Sequence, residues 1–295
     1  MGNARIVVIW WIVCLLWSST FLFIRLGLRD IPPFTFAWIR LAIAVAVLAP
    51  IGMLSTRSRM LSGRDGLLLA LTGLLLLGVN YGLLFWGAQF IPSGLVAILQ
   101  SCTPVFALAF GGLLKSEPVT RLKLLAVALG VAGVTIIFGT EASASGSAAL
   151  AGSLAVFAGS LCVALAYVGV KTFGHHVPVT MVAALQSVAG LIPLACLALA
   201  VEGAPHPLLW SRSSWVALLY LSLVASVVAF WLNYWLLARM DASAMLMMGV
   251  AEVPVAIGLG AVVFGERLPS GTLLGGGCVL AAVVAALRGT QRARP

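Results

Sequence analysis

Two apolar stretches of this chain carry side chains that could do chemistry inside a membrane. Residues 97–105 read AILQSCTPV and residues 247–255 read MMGVAEVPV, so Pro104 and Pro254 occupy matching places. A proline within a helix removes an amide donor and frees the carbonyl oxygen four residues earlier. We predict a hinge and a polar patch at each proline. The alternative is an ordinary kinked helix, because proline is fairly common in membrane helices.

Glu252 is the acidic residue of the second stretch, two positions before its proline. A carboxylate near the bilayer centre costs about 2.5–3.5 kcal/mol on insertion scales, so it is expected to face a cavity or a partner. One interpretation is that Glu252 binds and carries a proton. The other is a protonated or hydrogen-bonded acid that fixes the kink. The matching residue of the first stretch is Cys102, so the repeat itself does not require an acid here.

Arg40 is the basic residue that falls inside an apolar run rather than at its end. It lies six residues into the run, about 9 Å deep at 1.5 Å per residue. It could attract the carboxylate of an amino acid. Alternatively, it could extend toward the membrane surface, or pair with Glu266 or a carbonyl oxygen. Its counterpart in the second half of the chain is the neutral Gln186.

Aromatic and amide side chains at central positions form a candidate substrate-binding set. They could stack on a flat or apolar substrate or on a cation, although packing between helices is the alternative for each one. As a set they suggest an amphipathic, mostly neutral solute. The members are Trp17, Asn80, Tyr81, Trp86, Gln100, Tyr167 and Trp231.

The elements that position these residues follow from composition. The chain is 62% hydrophobic and only 8% charged, with a mean hydropathy of +1.15, whereas a soluble domain carries roughly a quarter charged residues. It is therefore expected to be an integral membrane protein. About 20 apolar residues make one helical span. Ten such runs are present, near 6–28, 34–54, 67–90, 92–114, 121–139, 150–173, 179–201, 214–238, 243–264 and 269–288.

The basic residues predict the orientation. With ten spans, 12 lysines and arginines fall at one set of ends and 4 at the other. Because lysine and arginine concentrate on the cytoplasmic side, both termini are expected to be cytoplasmic. The first run lacks a convincing cleavage site and is expected to be retained. The five cysteines lie within apolar runs and show no metal-site spacing.

The two halves of the chain read as one duplicated unit. Glu117 and Glu266 follow the proline stretches 149 residues apart, and Arg25 is echoed by Lys171. The predicted units are residues 1–140 and 148–290, with a cytoplasmic tail at 291–295. Five spans per unit force the second unit to start on the opposite face, which makes the repeats inverted. Such repeats can open a central site to either side in turn.

These features resemble the drug/metabolite transporter superfamily, in particular the EamA-type ten-helix exporters. The resemblance rests on WSST at 17–20, on Arg40, and on the spans of Pro104 and Pro254. Within the group, residues 80–101 are most similar to bacterial aromatic amino acid exporters of the YddG type. The resemblance implies a basket of eight helices around a central cavity, with the fifth and tenth helices outside it.

The sequence therefore predicts a secondary transporter in a bacterial inner membrane. It would export small metabolites, first among them aromatic and other apolar amino acids, by alternating access. A drug or nucleotide-sugar transporter of the same superfamily is one alternative, and a membrane-embedded enzyme is another. No cofactor, metal or nucleic acid is expected. The expected partners are a small-molecule substrate and the lipid bilayer, with the chain as a monomer or a homodimer. Proton coupling and a substrate gradient both stay open as the driving force.

Overall fold

A computed structural model of the chain describes residues 2–55, 62–113, 121–144, 146–174, 177, 179–237, 239–240 and 242–291. Within these ranges the regular structure is helical, and no strand occurs. We number the helices α1 to α10. They are α1 Gly2–Gly27, α2 Pro33–Ser55, α3 Gly63–Gly87, α4 Ser93–Leu113, α5 Arg121–Ala144, α6 Gly146–Phe173, α7 Val179–Val201, α8 212–237, α9 Ala242–Phe264 and α10 Ser270–Gln291.

These helices coincide with the ten apolar runs of the sequence. Seven of them contain a stretch long and apolar enough to cross a membrane, and α2, α9 and α10 contain shorter apolar stretches within the described residues. The chain is thus a membrane protein with multiple apolar helices. The number of crossings and the side on which the termini lie stay predictions. Glu117, which the repeat pairs with Glu266, lies outside the described residues.

The two prolines have different effects on their helices. In α4 the helix stops at Gln100 and resumes at Thr103, just before Pro104. The hydroxyl of Thr103 donates to the carbonyl oxygen of Gln100 at 2.8 Å, so the carbonyl freed by the proline is satisfied, as membrane helices require. By contrast, α9 runs unbroken through Pro254. Val253 stands where the first stretch has Thr103, and it has no hydroxyl to offer.

A π-helical segment interrupts the same helix of each half, a feature that the sequence did not predict. The segments are Leu74–Val79 in α3 and Tyr220–Val228 in α8. At the end of the first, the amide of Asn80 donates to the carbonyl oxygen five residues earlier, at Leu75. Such wider turns are rare and are frequent at functional sites. A wider turn also changes the direction in which the later side chains of the helix point, and this affects which of them reach the site described below.

Glycines allow close contact between helices from different halves. A Cβ atom on Gly133 of α5 would lie 2.6 Å from the carbonyl oxygen of Gly275 in α10, and the reverse substitution would bring a Cβ atom equally close. The fifth and tenth helices therefore pack closely against each other. Gly73 of α3 and Gly190 of α7 make a second such crossing, where a Cβ atom on Gly190 would lie 2.9 Å from the carbonyl oxygen of Gly73.

Candidate functional site

The two proline stretches meet at one cavity of about 160 Å³. Helix α4 contributes the polar side chains of Gln100 and Ser101, and α9 contributes Glu252. The predicted site residues Gln100, Pro104 and Glu252 thus lie around a common space. The described residues that line it are Phe21, Ala97, Gln100, Ser101, Pro104, Gly249, Glu252, Val253 and Val283.

An amide pair fixes one side of this cavity. Gln100 donates through Nε2 to Oδ1 of Asn80 at 3.2 Å, and Asn80 donates through Nδ2 to the carbonyl oxygen of Leu76 at 3.3 Å. Asn80 follows the π-helical segment of α3 directly. Gly159 of α6 lies against this pair, since a Cβ atom there would be 2.7 Å from Asn80 Oδ1. The side-chain carbonyl oxygen of Gln100, which lines the cavity, can accept a hydrogen bond from a polar solute.

Glu252 supplies the acidic group of the cavity. Its side chain is half-buried in the middle of α9. The salt bridge formed among the described residues joins Arg25 and Glu266, so Glu252 is not neutralised by an ion pair there. A carboxyl group in this position can accept and release a proton, or accept a hydrogen bond from an ammonium group.

Arg40 is buried, with 6% of its surface exposed. Its guanidinium carbon lies 5.2 Å from the ring centre of Tyr81 and 5.9 Å from that of Phe85. Contacts of this kind are worth about 0.5–2 kcal/mol. Its Nε is buried and has no hydrogen-bond partner among the described residues. The alternative in which Arg40 pairs with Glu266 is wrong, because Arg25 takes that carboxylate.

The remaining aromatic residues of the predicted set are dispersed. Trp17 packs beside a buried cluster formed by α1, α8 and α9, and Trp86 meets Phe90 edge-on at 5.0 Å between ring centres. Tyr167 and Trp231 are 57% and 69% exposed. None of these four lines the 160 Å³ cavity. Their part in substrate binding stays a prediction that this conformation does not favour.

The structure adds aromatic residues that the sequence reasoning missed. Phe21 lines the cavity, and it lies one helical turn beyond Trp17, so the helical period could have indicated it. Tyr220 begins the π-helical segment of α8. Its ring stacks on Phe23 with the ring centres 3.9 Å apart, and its hydroxyl shares a hydrogen bond of 2.7 Å with Ser19. Nothing in the local sequence of Tyr220 distinguishes it.

Three carboxylates join the two halves of the chain at one end of the bundle, which we call the carboxylate end. The first is Glu266, after α9. It forms a salt bridge with Arg25 of α1 and accepts hydrogen bonds from Ser93 Oγ at 2.8 Å and from the Gly94 amide at 3.4 Å. These donors lie at the beginning of α4, where a negative charge also interacts favourably with the helix dipole.

The other two carboxylates cap helices in the same way. Glu202, after α7, accepts from the amides of Phe34 and Thr35 at 2.9 and 2.6 Å. Asp30, after α1, accepts from Ser211 and from Ser214 Oγ, the latter at 2.6 Å. Hydrogen bonds from Ser211 and Ser214 hold the pKa of the Asp30 carboxyl below its usual value. Each carboxylate therefore links a residue of the first half to a helix or loop of the second.

Over the described ranges, no three His, Cys, Asp or Glu side chains lie close enough together to hold a metal ion.

Comparison with known proteins places the chain among transporters. The model of the "EamA-like transporter family" matches residues 5–139 and again residues 150–288. The chain is 29% identical over 274 residues to the "uncharacterized inner membrane transporter YedA" of Escherichia coli, covering 92% of this chain and 86% of that protein. It is 26% identical over 280 residues to a "probable amino-acid metabolite efflux pump" of Salmonella typhimurium, with coverage of 92% and 90%.

A solved crystal structure shares the fold. It superimposes with a TM-score of 0.63 over 99% of both chains, at 21% sequence identity.

Proposed function

Because the chain belongs to the EamA-like transporter family, we propose that it is a secondary transporter that exports aromatic and other apolar amino acids. The matching family and the relatives of this chain carry the names of transporters, not of enzymes. One relative is named an amino-acid metabolite efflux pump, which supports the substrate class. The observation that carries the proposal is the cavity formed jointly by the proline stretches of the two halves.

The lining of the cavity suits a small amphipathic solute. Phe21 and the aliphatic side chains offer apolar contact, while Gln100, Ser101 and Glu252 offer hydrogen bonds. The cavity volume of about 160 Å³ is below the roughly 300–1,000 Å³ of a typical ligand pocket. We infer that the helices separate to admit an aromatic amino acid, and that the chain also adopts a wider conformation.

Alternating access between inverted repeats would provide that conformation. We propose that residues 1–140 and 148–290 form the repeats, a division supported by the two separate matches to one family model. The three carboxylate links join the two halves at the carboxylate end in this structure. Opening toward that end would have to break them. The charge bias of the sequence predicts that this end faces the outside of a bacterial inner membrane.

A drug or nucleotide-sugar transporter is the second candidate within the family. A nucleotide sugar carries a diphosphate, so its site should offer several basic side chains. No lysine or arginine lines the cavity formed by the described residues, and this favours a solute without phosphate.

Uptake into liposomes tests the substrate class. Purified protein should move labelled tryptophan and phenylalanine faster than protein-free liposomes do, and threonine would show how far the preference extends. Gln100→Ala should slow this flux, because it removes the amide that faces the cavity. Gln89→Ala, which removes an exposed amide outside the cavity, is the matched control and should leave it unchanged. Flux of another class of solute without flux of any amino acid would contradict the proposal.

A further inference from the structure

We propose that Arg40 is an anion-binding residue that receives the carboxylate of the transported solute. The inference deepens the proposed function and rests on it for the identity of the solute. It starts from the burial of Arg40, which leaves 6% of the residue exposed. It also starts from the buried Nε, which lacks a hydrogen-bond partner within the described part of the chain.

The aromatic contacts of Arg40 leave most of its hydrogen-bonding capacity unused. Tyr81 and Phe85 present their ring faces to the guanidinium group at 5.2 and 5.9 Å. A ring face attracts the positive charge but accepts no conventional hydrogen bond. A guanidinium group has five N–H donors arranged in a plane that matches a carboxylate. Among the described residues the Nε–H of Arg40 has no acceptor, so this donor can serve such a ligand.

Among the described residues, no salt bridge neutralises Arg40. Glu266 is engaged by Arg25, Glu202 by the amides that begin α2, and Asp30 by the serines that begin α8. Glu141 accepts from Thr272, and Asp65 caps α3. Glu252 lines the cavity and forms no salt bridge among these residues. An arginine without an anionic partner is costly within a membrane and points to function.

The second half of the chain shows that the fold does not need this charge. Gln186 in α7 is the counterpart of Arg40 in α2, and it is buried to the same extent, at 6% exposed. It donates through Nε2 to Thr72 Oγ1 of α3 at 2.9 Å. A neutral amide therefore fills the equivalent position with its hydrogen bond satisfied. The positive charge in the first half serves something other than packing.

A short chain of contacts links Arg40 to the cavity. Tyr81 lies against the guanidinium group, and its neighbour Asn80 accepts a hydrogen bond from Gln100, which lines the cavity. A wider conformation of the kind proposed above would connect the two.

A binding experiment with three matched solutes tests this role. The probes are phenylalanine, its amide, and 3-phenylpropionate, which keeps the carboxylate but lacks the amine. Affinities are measured by intrinsic fluorescence on the full chain in nanodiscs. Wild type should bind both carboxylates at least about tenfold more tightly than the amide, because a charge-assisted hydrogen bond to carboxylate is lost with the amide.

The variant Arg40→Gln copies the residue of the second half and should fold. It should weaken binding of both carboxylates about tenfold or more and leave the amide unchanged, so that the preference disappears. Arg40→Lys keeps the charge without the planar donor set and should retain part of the preference. Arg212→Gln, an exposed position at the beginning of α8, is the charge-matched control and should behave as wild type.

The outcomes separate this inference from the proposed function. A preference for carboxylates that survives in Arg40→Gln overturns the role of Arg40, even if amino acids are transported. So does a wild-type protein that binds neither carboxylate. Binding of 3-phenylpropionate that depends on Arg40, with neither binding nor flux of amino acids, would support Arg40 and refute amino acid export.

Discussion

Removing the charge of Glu266 should release the carboxylate end and expose the cavity from that side. Its carboxylate joins Arg25 of the first helix and the beginning of α4 to the segment after α9. Glu266→Gln keeps the size of the side chain and one acceptor oxygen. It removes the negative charge that binds Arg25 and strengthens the hydrogen bonds from Ser93 and Gly94.

The structure sets the size of the effect. The Glu266 side chain is 5% exposed but that of Arg25 is 40% exposed, so solvent screens the pair, and an exposed salt bridge contributes about 0.2–1 kcal/mol. Hydrogen bonds to a charged group contribute about 1.5–3 kcal/mol, of which the glutamine retains a part. We expect the closed state to lose about 1–3 kcal/mol, which is a shift of about 5- to 150-fold toward opening.

Cysteine accessibility measures this shift. A single cysteine in place of Ser101, which lines the cavity, is introduced after the five native cysteines have been replaced. A membrane-impermeant thiol reagent is then applied from the carboxylate end. The labelling rate should rise in Glu266→Gln by the factor given above. In the same Glu266→Gln variant, the labelling rate should fall when the reagent is applied from the opposite side.

Two further variants decide whether the salt bridge is the cause. Combining Glu266→Gln with Arg25→Gln should give less than the sum of the single effects, with a coupling of about 0.2–1 kcal/mol. Asp65→Asn makes a similar change of carboxylate to amide at the exposed beginning of α3 and should leave the rate unchanged. An unaltered rate in Glu266→Gln, or strictly additive effects, would refute the reasoning.

Three other predictions concern separate parts of the molecule. Glu252→Gln should abolish any response of amino acid flux to an imposed pH gradient if this acid carries the proton; unchanged flux with an unchanged pH response would remove it from that role. Gly73→Ala should destabilise the protein by about 1–3 kcal/mol in a detergent melting assay, because the added Cβ atom would lie 2.5 Å from Cα of Gln186. Gly277→Ala is the control and should be neutral, because a Cβ atom there meets nothing within 4 Å. The Asp30 contacts stabilise the folded state above the usual pKa of 3.8 and are lost as the pH falls through the lowered pKa. The difference in melting temperature between wild type and Asp30→Asn should therefore stay constant from about pH 8 to about pH 5. A difference that vanishes in that range would argue against the assignment.

The positions of the helices along the chain could be predicted from the sequence, because the bilayer requires long apolar helical segments. The meeting of the proline stretches could be predicted from their duplication. The sequence could not predict which aromatic side chains point into the protein and which point toward lipid. In a membrane both the lipid-facing and the buried sides of a helix are apolar, so hydropathy does not distinguish them. Tyr167 and Trp231 therefore read as central residues although they are exposed.

The π-helical segments made this prediction harder. Each residue of an α-helix turns by about 100°, and a wider turn changes the direction of all later side chains. Asn80 and Tyr81 follow such a segment in α3. One joins Gln100 at the cavity and the other faces Arg40. Their sequence positions alone gave no means of separating these two roles.

Differences between the halves also bear on which state the protein prefers. If the two repeats were identical, the state closed at the carboxylate end and the state closed at the opposite end would have equal energies. Of the three carboxylates at the carboxylate end, Glu266 alone has an acidic counterpart, Glu117. At the repeat spacing of 146–150 residues, the positions that match Asp30 and Glu202 fall at 176–180 and 52–56, where the sequence has no acidic residue. Two of the three carboxylate links thus have no acidic residue at the matching position of the opposite end. We therefore expect the state closed at the carboxylate end to predominate without solute, so that a solute entering from the opposite side meets the cavity first, as export requires.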